Sequence, residues 1–385
     1  MSPKIAVIST DWNQNPYRNK NNLYGGVGYY RIFAPYGVLK ERGWDIDIYN
    51  KEFSDLSKGK TYEEFWDWFT KKYDIIITKA IDNPTAAAQL CFFAQRNGTK
   101  IVMDLDDNYF EVDPTQPAYK YYYPGSQKRA FFAAFLSQCD AVITSTKPLA
   151  DYYQEHAKKV WNKDLPVYCF PNFNRVEEWP KFAKKPTDKI VIGWAGSTTH
   201  DDDLKLVMPA LNRLMGEYPN VYLELTGGLT PETAPKVMAY FEEKQIDRVA
   251  ITGGTNCWKG YPELLMKKKW NIGIAPLVNN EFNKGKSHIK WMEYAMMSLP
   301  CVASKTYPYY KEIDGIHTIV DGETGLLAID GLDFYKKLKF LIDNPDVAQK
   351  IGENARQYVI DNWQWEKNIE KLENIIKQIW QPSQN

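Results

Sequence analysis

The 385-residue sequence lacks net charge: 48 Lys and Arg stand against 48 Asp and Glu. That balance excludes a globally basic nucleic-acid binder and leaves only local basic patches open. Cysteine is scarce. Cys91, Cys139, Cys169, Cys257 and Cys301 are dispersed with no CxxC pair, which argues against a disulfide framework or a zinc site and fits buried free thiols. No apolar run approaches the roughly 18 residues that a membrane span needs. The run in the opening MSPKIAVIST is too short for a signal peptide, so the expected compartment is the cytoplasm. There is also no GxSxG elbow, HExxH pair or Walker sequence, which disfavours serine hydrolase, zincin and P-loop chemistry.

Aromatic residues, in contrast, are plentiful. Trp, Tyr and Phe make up 15% of the chain within a 44% hydrophobic total, ample for large cores and too apolar for disorder. The length favours two domains over one. Short apolar runs recur between helical patterns: IAVIS (Ile5–Ser9), WDIDIY, DIIIT, KIVMDL, AVITS and VYCF, then KIVIGWAG, VYLELTGG, RVAITGG, NIGIAPL and PCVAS. Runs of this kind, bounded by turn residues, predict parallel strands buried on both faces. Thr61, with Glu64 three positions on, predicts a capped helix start in TYEEFWDWFTKK. Prolines at 171, 180 and 186 mark the most linker-like stretch. The predicted fold class is α/β: two Rossmann-like, doubly wound domains facing a central cleft. The expected boundaries are 1–175, 187–361 and a C-terminal helix over 362–385 that returns toward the N-terminal domain.

In such sheets ligands bind beyond the carboxyl ends of the strands. Gly25, Gly26 and Gly28 sit in LYGGVGYYR after the first strand, where glycine permits either close approach to an anion or a tight turn. After the first strand of the second half come Gly196 and Ser197, candidates to receive phosphate oxygens. Asp201, Asp202 and Asp203 follow, suited to a helix N-terminus, with His200 and Lys205 nearby. The segment FNKGKSHIKWMEYAMMSLPCVAS is the most informative. It predicts a helix from about Lys286 to Met297 whose first turn, with Lys286 and Ser287, makes an anion site. Glu293 lies about two turns further on the same face, placed to accept ribose hydroxyls. Asp104, Asp106 and Asp107 cluster at a strand end, where carboxylates hold a cation, orient hydroxyls, act as a base or simply form turns. Tyr119–Tyr123 and Trp258 are candidates to stack on a sugar or base, with core packing as the alternative.

These residues resemble the GT-B fold of nucleotide-sugar glycosyltransferases, and the second half is similar to glycosyltransferase family 4. The stretches IGWAGS, VYLELTGG, WNIGIAPL, KSHIKWMEYAMMSLPCVAS and DGETGLL carry the resemblance, together with GGVGYYR, AVITST and FPN in the first half. It implies a retaining glycosyltransferase that takes a UDP- or GDP-sugar as co-substrate, with no obligatory cofactor or metal. Glu293 matches the second glutamate of the family's E-x7-E motif, the ribose-holding one. Gly285 stands where the first would be, with Glu281 as a nearby substitute. Together with the residue-level reading, this gives the candidate donor contacts Gly25, Gly26, Gly196, Ser197, Lys205, Trp258, Lys286, Ser287, Lys290 and Glu293. Asp104, Asp106 and Asp107 fall in the catalytic region, where no histidine matches the family's. The expected acceptor is a saccharide, free or lipid-linked. A modified DNA base is the other option, with Lys181, Lys184, Lys185 or Lys267–Lys269 on its phosphates. Two further readings stand beside this one. One is a metal-dependent transferase using Asp104-Leu105-Asp106, and the other a non-catalytic sugar-nucleotide-binding protein.

Overall fold

Short β-branched runs with no polar face cannot stop at one covered side; they need helices above and below. The computed structural model satisfies that need twice. It describes residues 2–9, 25–49, 56–79, 81, 83–180, 188–197, 199–255, 257–313 and 315–380. Lys181, Lys184 and Lys185 lie outside these residues.

In the first half, β1 (Ile5–Ile8), β2 (Ile46–Tyr49), β3 (Ile75–Thr78), β4 (Lys100–Leu105), β5 (Ala141–Thr144) and β6 (Val167–Cys169) form one parallel sheet in the order β2-β1-β3-β4-β5-β6. In the second, β7 (Ile190–Gly196), β8 (Val221–Gly227), β9 (Val249–Thr252), β10 (Ile272–Ala275) and β11 (Cys301–Ser304) do the same. With β12 (Glu312–Ile313) and β13 (Ile316–His317) set apart as a small antiparallel pair, β14 (Leu326–Ala328) completes the order β14-β11-β10-β7-β8-β9. The strand order reverses between β1 and β3 in one sheet and between β7 and β10 in the other. Both reversal points open crevices at carboxyl ends. The run at Leu326 forms the edge strand that pairs with β11.

Local signals act where expected. Thr61 and Glu64 form a reciprocal capping box at the start of Tyr62–Lys72. The C-terminal stretch is two helices, Pro345–Asn362 and Trp365–Trp380, broken at Trp363 and Gln364. The second helix packs on Ala34–Glu41 of the first half, through Ile369, Leu372 and Ile376 against Val38 and Leu39. Arg42 reaches Glu373 at 2.8 Å, and Arg175 pairs with both Glu41 and Glu366 at 3.0 Å. The break is itself a crossover point. Asn174 N donates to Trp363 O at 2.9 Å and Trp365 N to Asn174 O at 3.1 Å, with Phe170 and Phe173 against Trp365.

Candidate functional site

The helix that follows the Gly-rich loop begins irregularly. Gly26–Gly28 leads into a π-helical turn, Tyr29–Phe33, before regular Ala34–Glu41. Three consecutive side chains of that turn are buried: Tyr29, Tyr30 and Arg31. A buried guanidinium needs acceptors for its fork. Arg31 finds Asp104 at the end of β4 in bidentate geometry, 2.7 Å from Nε and 2.9 Å from Nη2. Its Nη1 donates to Phe170 O at 2.7 Å and Asn172 Oδ1 at 2.9 Å, at the crossover between the halves. Both Asp104 oxygens are therefore held inside the first half.

Asp106 and Asp107 look outward from the same strand end. Asp106 pairs with Lys79, just past β3, at 2.7 Å, and Asp107 with Lys286 of the second half at 2.6 Å. Burial raises both carboxyls. In Asp106 the cations Lys79, Lys286 and Arg31 outweigh it and the net shift is downward; in Asp107 burial and Asp106 outweigh Lys286 and the net shift is upward. Adjacent carboxyls pushed apart in this way suit different roles in proton transfer. The acid pair Asp104–Asp106 is charge-balanced by chain cations, which leaves a divalent ion little to neutralise. Among the described residues no three His, Cys, Asp or Glu side chains group as metal ligands.

Opposite this cluster lies the segment that carries Lys286 to Glu293. The helix is shorter than the sequence predicts, Ile289–Met296, preceded by the single turn Glu281–Lys284. Lys286 and Ser287 thus project from a loop. Asn172 Nδ2 donates to Ser287 Oγ at 3.0 Å, and Thr146 Oγ1 to Gly285 O at 3.0 Å, so this loop is stitched to the first half. The stitching explains the missing glutamate: a Cβ at Gly285 would lie 2.8 Å from Leu149 Cδ2 and 3.3 Å from Phe282 O. Glu281 does not replace it, being exposed and paired with Lys284.

Lys290 turns toward the end of β7, donating to Ala195 O at 2.9 Å and lying 5.1 Å from the Trp194 ring centre. Gly196 makes that seat possible, since a Cβ there would sit 2.4 Å from Trp194 Cζ2 and 2.9 Å from Lys290 Nζ. Burial lowers Lys290 to about 8, against the pull of Glu293 and Asp203. Glu293, one turn on, is buried between two tyrosines: Tyr30 donates to Oε1 at 3.3 Å and Tyr261 to Oε2 at 3.1 Å. Burial pushes its carboxyl up to about 7, with Lys290 and the two hydroxyls pulling it down. Trp258 is also buried. Its Nε1 donates to Glu178 at 2.6 Å, and its face is covered by Tyr29 at 3.8 Å and 13° between planes.

The remaining expected donor residues have these surroundings. Lys205 pairs with Asp202 at 2.5 Å on an exposed helix face. Ser197 is exposed and bonds Thr199 at 2.8 Å. Gly26 opens the helix with free space at its Cβ position, and Gly25 O accepts from Tyr29 N at 2.9 Å. Asp203 is more than a helix-end charge: it accepts from Val278 N at 2.7 Å and Asn283 Nδ2 at 3.1 Å, fixing the loop before Glu281. Neighbouring His288 is fully buried against Trp363 at 4.1 Å, with neither ring nitrogen hydrogen-bonded among the described residues, and burial lowers it to about 3. Arg31, Lys79, Tyr30 and Tyr261 belong to the site without having been singled out in the sequence. The signal for Arg31 was a lone cation inside the apolar run GYYRIFAPYGVL.

Two parallel six-stranded sheets facing across such a cleft make the GT-B architecture of nucleotide-sugar glycosyltransferases. Residues 237–374, which include Lys286, Lys290 and Glu293, match the protein family described as glycosyl transferase-like. HepE from Anabaena, solved with UDP-glucose, superposes with a TM-score of 0.63 over 98% of this chain and 100% of that one, at 12% identity. Sucrose-phosphate synthase from Thermosynechococcus elongatus gives 0.65 over 99% and 100%, at 16% identity. At these identities the likeness establishes the fold. Among curated proteins, trehalose synthase of Pyrococcus furiosus is 36% identical over 58 residues, 15% of this chain and 14% of that protein. Glycosyltransferase 1 domain-containing protein 1 of Xenopus tropicalis is 26% identical over 159 residues, 41% of each. The chain thus spans less than half the length of the curated relatives it matches.

Proposed function

We propose that the protein is a glycosyltransferase that moves a sugar from a nucleotide diphosphate-sugar to an acceptor hydroxyl with retention of configuration. One observation carries this reading. Lys286, Lys290 and Glu293 lie close together in the family-matched segment: Lys290 sits on the carboxyl end of β7, Lys286 meets Asp107 across the cleft, and Glu293 is held by Tyr261. Residues 187–361 then serve as the donor side, 1–175 as the acceptor side, and 362–385 ties the two. Glu293 takes the ribose hydroxyls. Lys290 and Lys286 neutralise the diphosphate as it leaves, the charge development that most needs fixed partners. The leaving phosphate itself takes the acceptor proton on the front face, with Asp107 beside it, so no protein nucleophile is required. Lys286 exchanges Asp107 for a phosphate oxygen when the donor arrives, which frees Asp107 toward the acceptor.

UDP-sugars are the favoured donors, given the UDP-glucose complex of HepE, with GDP-sugars as the alternative. A saccharide is the favoured acceptor over a modified DNA base, because zero net charge offers little to a phosphate backbone. No helix among the described residues is long and apolar enough to cross a membrane, which supports a cytoplasmic setting. The kinship extends most naturally to retaining glycosyltransferase family 4. The test is a donor-hydrolysis screen of UDP-, GDP- and ADP-sugars, then mass spectrometry with glycan and DNA acceptors. Turnover of one sugar nucleotide, unaffected by EDTA, is expected. Nucleotide binding without turnover across the panel would instead favour a binding protein, and strict dependence on Mg²⁺ or Mn²⁺ the metal-dependent reading.

A further inference from the structure

A nucleoside needs two things from a protein seat: a flat surface for its base and an acceptor for its vicinal ribose hydroxyls. The second half offers both side by side in space, with Trp258 and Glu293 each buried and linked by Tyr261, whose hydroxyl meets Glu293 at 3.1 Å and whose ring lies 5.7 Å from Trp258. Both are already occupied. The Tyr29 ring lies on Trp258 at 3.8 Å, nearly parallel at 13°, which is the placement of a stacked base. The Tyr30 hydroxyl donates to Glu293 Oε1 at 3.3 Å, which is the placement of a ribose hydroxyl. Tyr30 also presents its ring edge to Trp258 at 4.9 Å. The two tyrosines are consecutive, come from the other half of the molecule, and ride on a π-helical turn that follows a glycine-rich entry.

We infer that Tyr29 and Tyr30 are a built-in stand-in for the donor's nucleoside, a planar base carried on a ribose, and that the empty protein is held closed by them. The inference rests on the reading of Glu293 as the ribose residue. A nucleotide must displace the pair to seat itself, so its apparent dissociation constant is the intrinsic one divided by the fraction of molecules with the pair withdrawn. π-Turns inside helices are frequent at functional sites. The next residue, Arg31, gives the displacement a destination. It forks onto Asp104 and reaches Phe170 and Asn172, and Asn172 bonds Ser287 beside Lys286. Withdrawal of Tyr30 therefore pulls on the contact chain that runs from the acidic strand end to the loop expected to carry the diphosphate. Donor arrival and the setting of the acceptor-side carboxylates become one event.

Isothermal titration of UDP into the wild type, Tyr30→Phe, Tyr29→Ala and Glu293→Ala tests this. Removing one hydroxyl–carboxylate bond or one stacked ring should raise UDP affinity roughly three- to tenfold, because each weakens the competitor and touches none of the ligand's own contacts. Tyr30→Phe preserves the ring and packing, so it keeps the test valid if Tyr29→Ala does not fold. Hydrogen exchange should show residues 26–33 losing protection when UDP binds the wild type. Lower UDP affinity in Tyr30→Phe would overturn the inference, as the tyrosine would then be a ligand contact. So would unchanged affinity with residues 26–33 still protected. A wild type that binds UDP with an affinity Glu293→Ala leaves intact would instead remove the ribose assignment beneath it, and the inference would fall with it.

Discussion

Nucleotide-sugar affinity should trace a bell against pH, with its maximum between about 7 and about 8, because the two groups that face the ligand titrate there in opposite senses. Glu293 accepts ribose hydroxyls as a carboxylate. Its raised value means that it gains a proton as pH falls through about 7, so affinity drops toward the acid side, by up to about tenfold or 1.4 kcal/mol per unit. Lys290 is cationic below about 8 and loses its charge above, so affinity drops toward the alkaline side with the same limiting slope. The two sit one turn apart on Ile289–Met296 and titrate as a pair, so the limbs report the pair's apparent values. Calorimetry with UDP-glucose from about pH 5.5 to 9 resolves both limbs. A sugar-capped diphosphate has no phosphate ionisation near neutrality, so the limbs belong to the protein. Glu293→Gln should remove the acid limb and Lys290→Met the alkaline one. A flat wild-type profile, or an acid limb that survives Glu293→Gln, would refute the reasoning.

Arg31→Met should destabilise the fold by about 3–5 kcal/mol, because it strands the buried Asp104 carboxylate, and adding Asp104→Asn should recover part of that loss in urea titrations. Gly285→Glu, which supplies the motif glutamate, should cost about 1–3 kcal/mol by driving into Leu149, with Leu149→Ala relieving it. If the single variant is as stable as wild type and gains donor affinity, steric exclusion is not why the glutamate is absent. His288 is held neutral at about 3, so the stability it confers is full above the ordinary histidine range and drains as pH falls, by about 1.4 kcal/mol per unit. Glu293 has the opposite sign, its raised value costing stability as pH climbs from the ordinary carboxylate range to about 7. His288→Leu should therefore flatten the loss of stability between about pH 6.5 and 4.5, and an unaltered pH slope in that variant would show that His288 reaches water.

The strands were legible because runs such as IIIT and CVAS leave no polar face, and only a sheet covered on both sides hides them. Thr61 and Glu64 announced a helix start because a capping box is local chemistry. The Lys290–Glu293 pair was legible for the same reason, one helix face, whereas Lys286 projects from the loop before that helix. Contacts across the chain were not. Tyr30 and Glu293 are 263 residues apart in sequence, and Arg31 and Asp104 are 73 apart, so no local pattern joins them. Proximity in sequence does not fix a partner either. Lys205 lies just past the β7 loop, yet it pairs with Asp202 of its own helix start. Gly285 was visible as a departure from the motif, but its reason, Leu149 of a helix in the other half, needed the packed structure.

The most direct measurement is a crystal structure with UDP bound. The ribose hydroxyls should lie on the Glu293 carboxylate, the diphosphate between Lys286 and Lys290 at the end of β7, and Tyr29 and Tyr30 should have left Trp258 and Glu293. A UDP molecule bound elsewhere, with Tyr30 still on Glu293 and Lys286 still on Asp107, would contradict the donor site at its foundation.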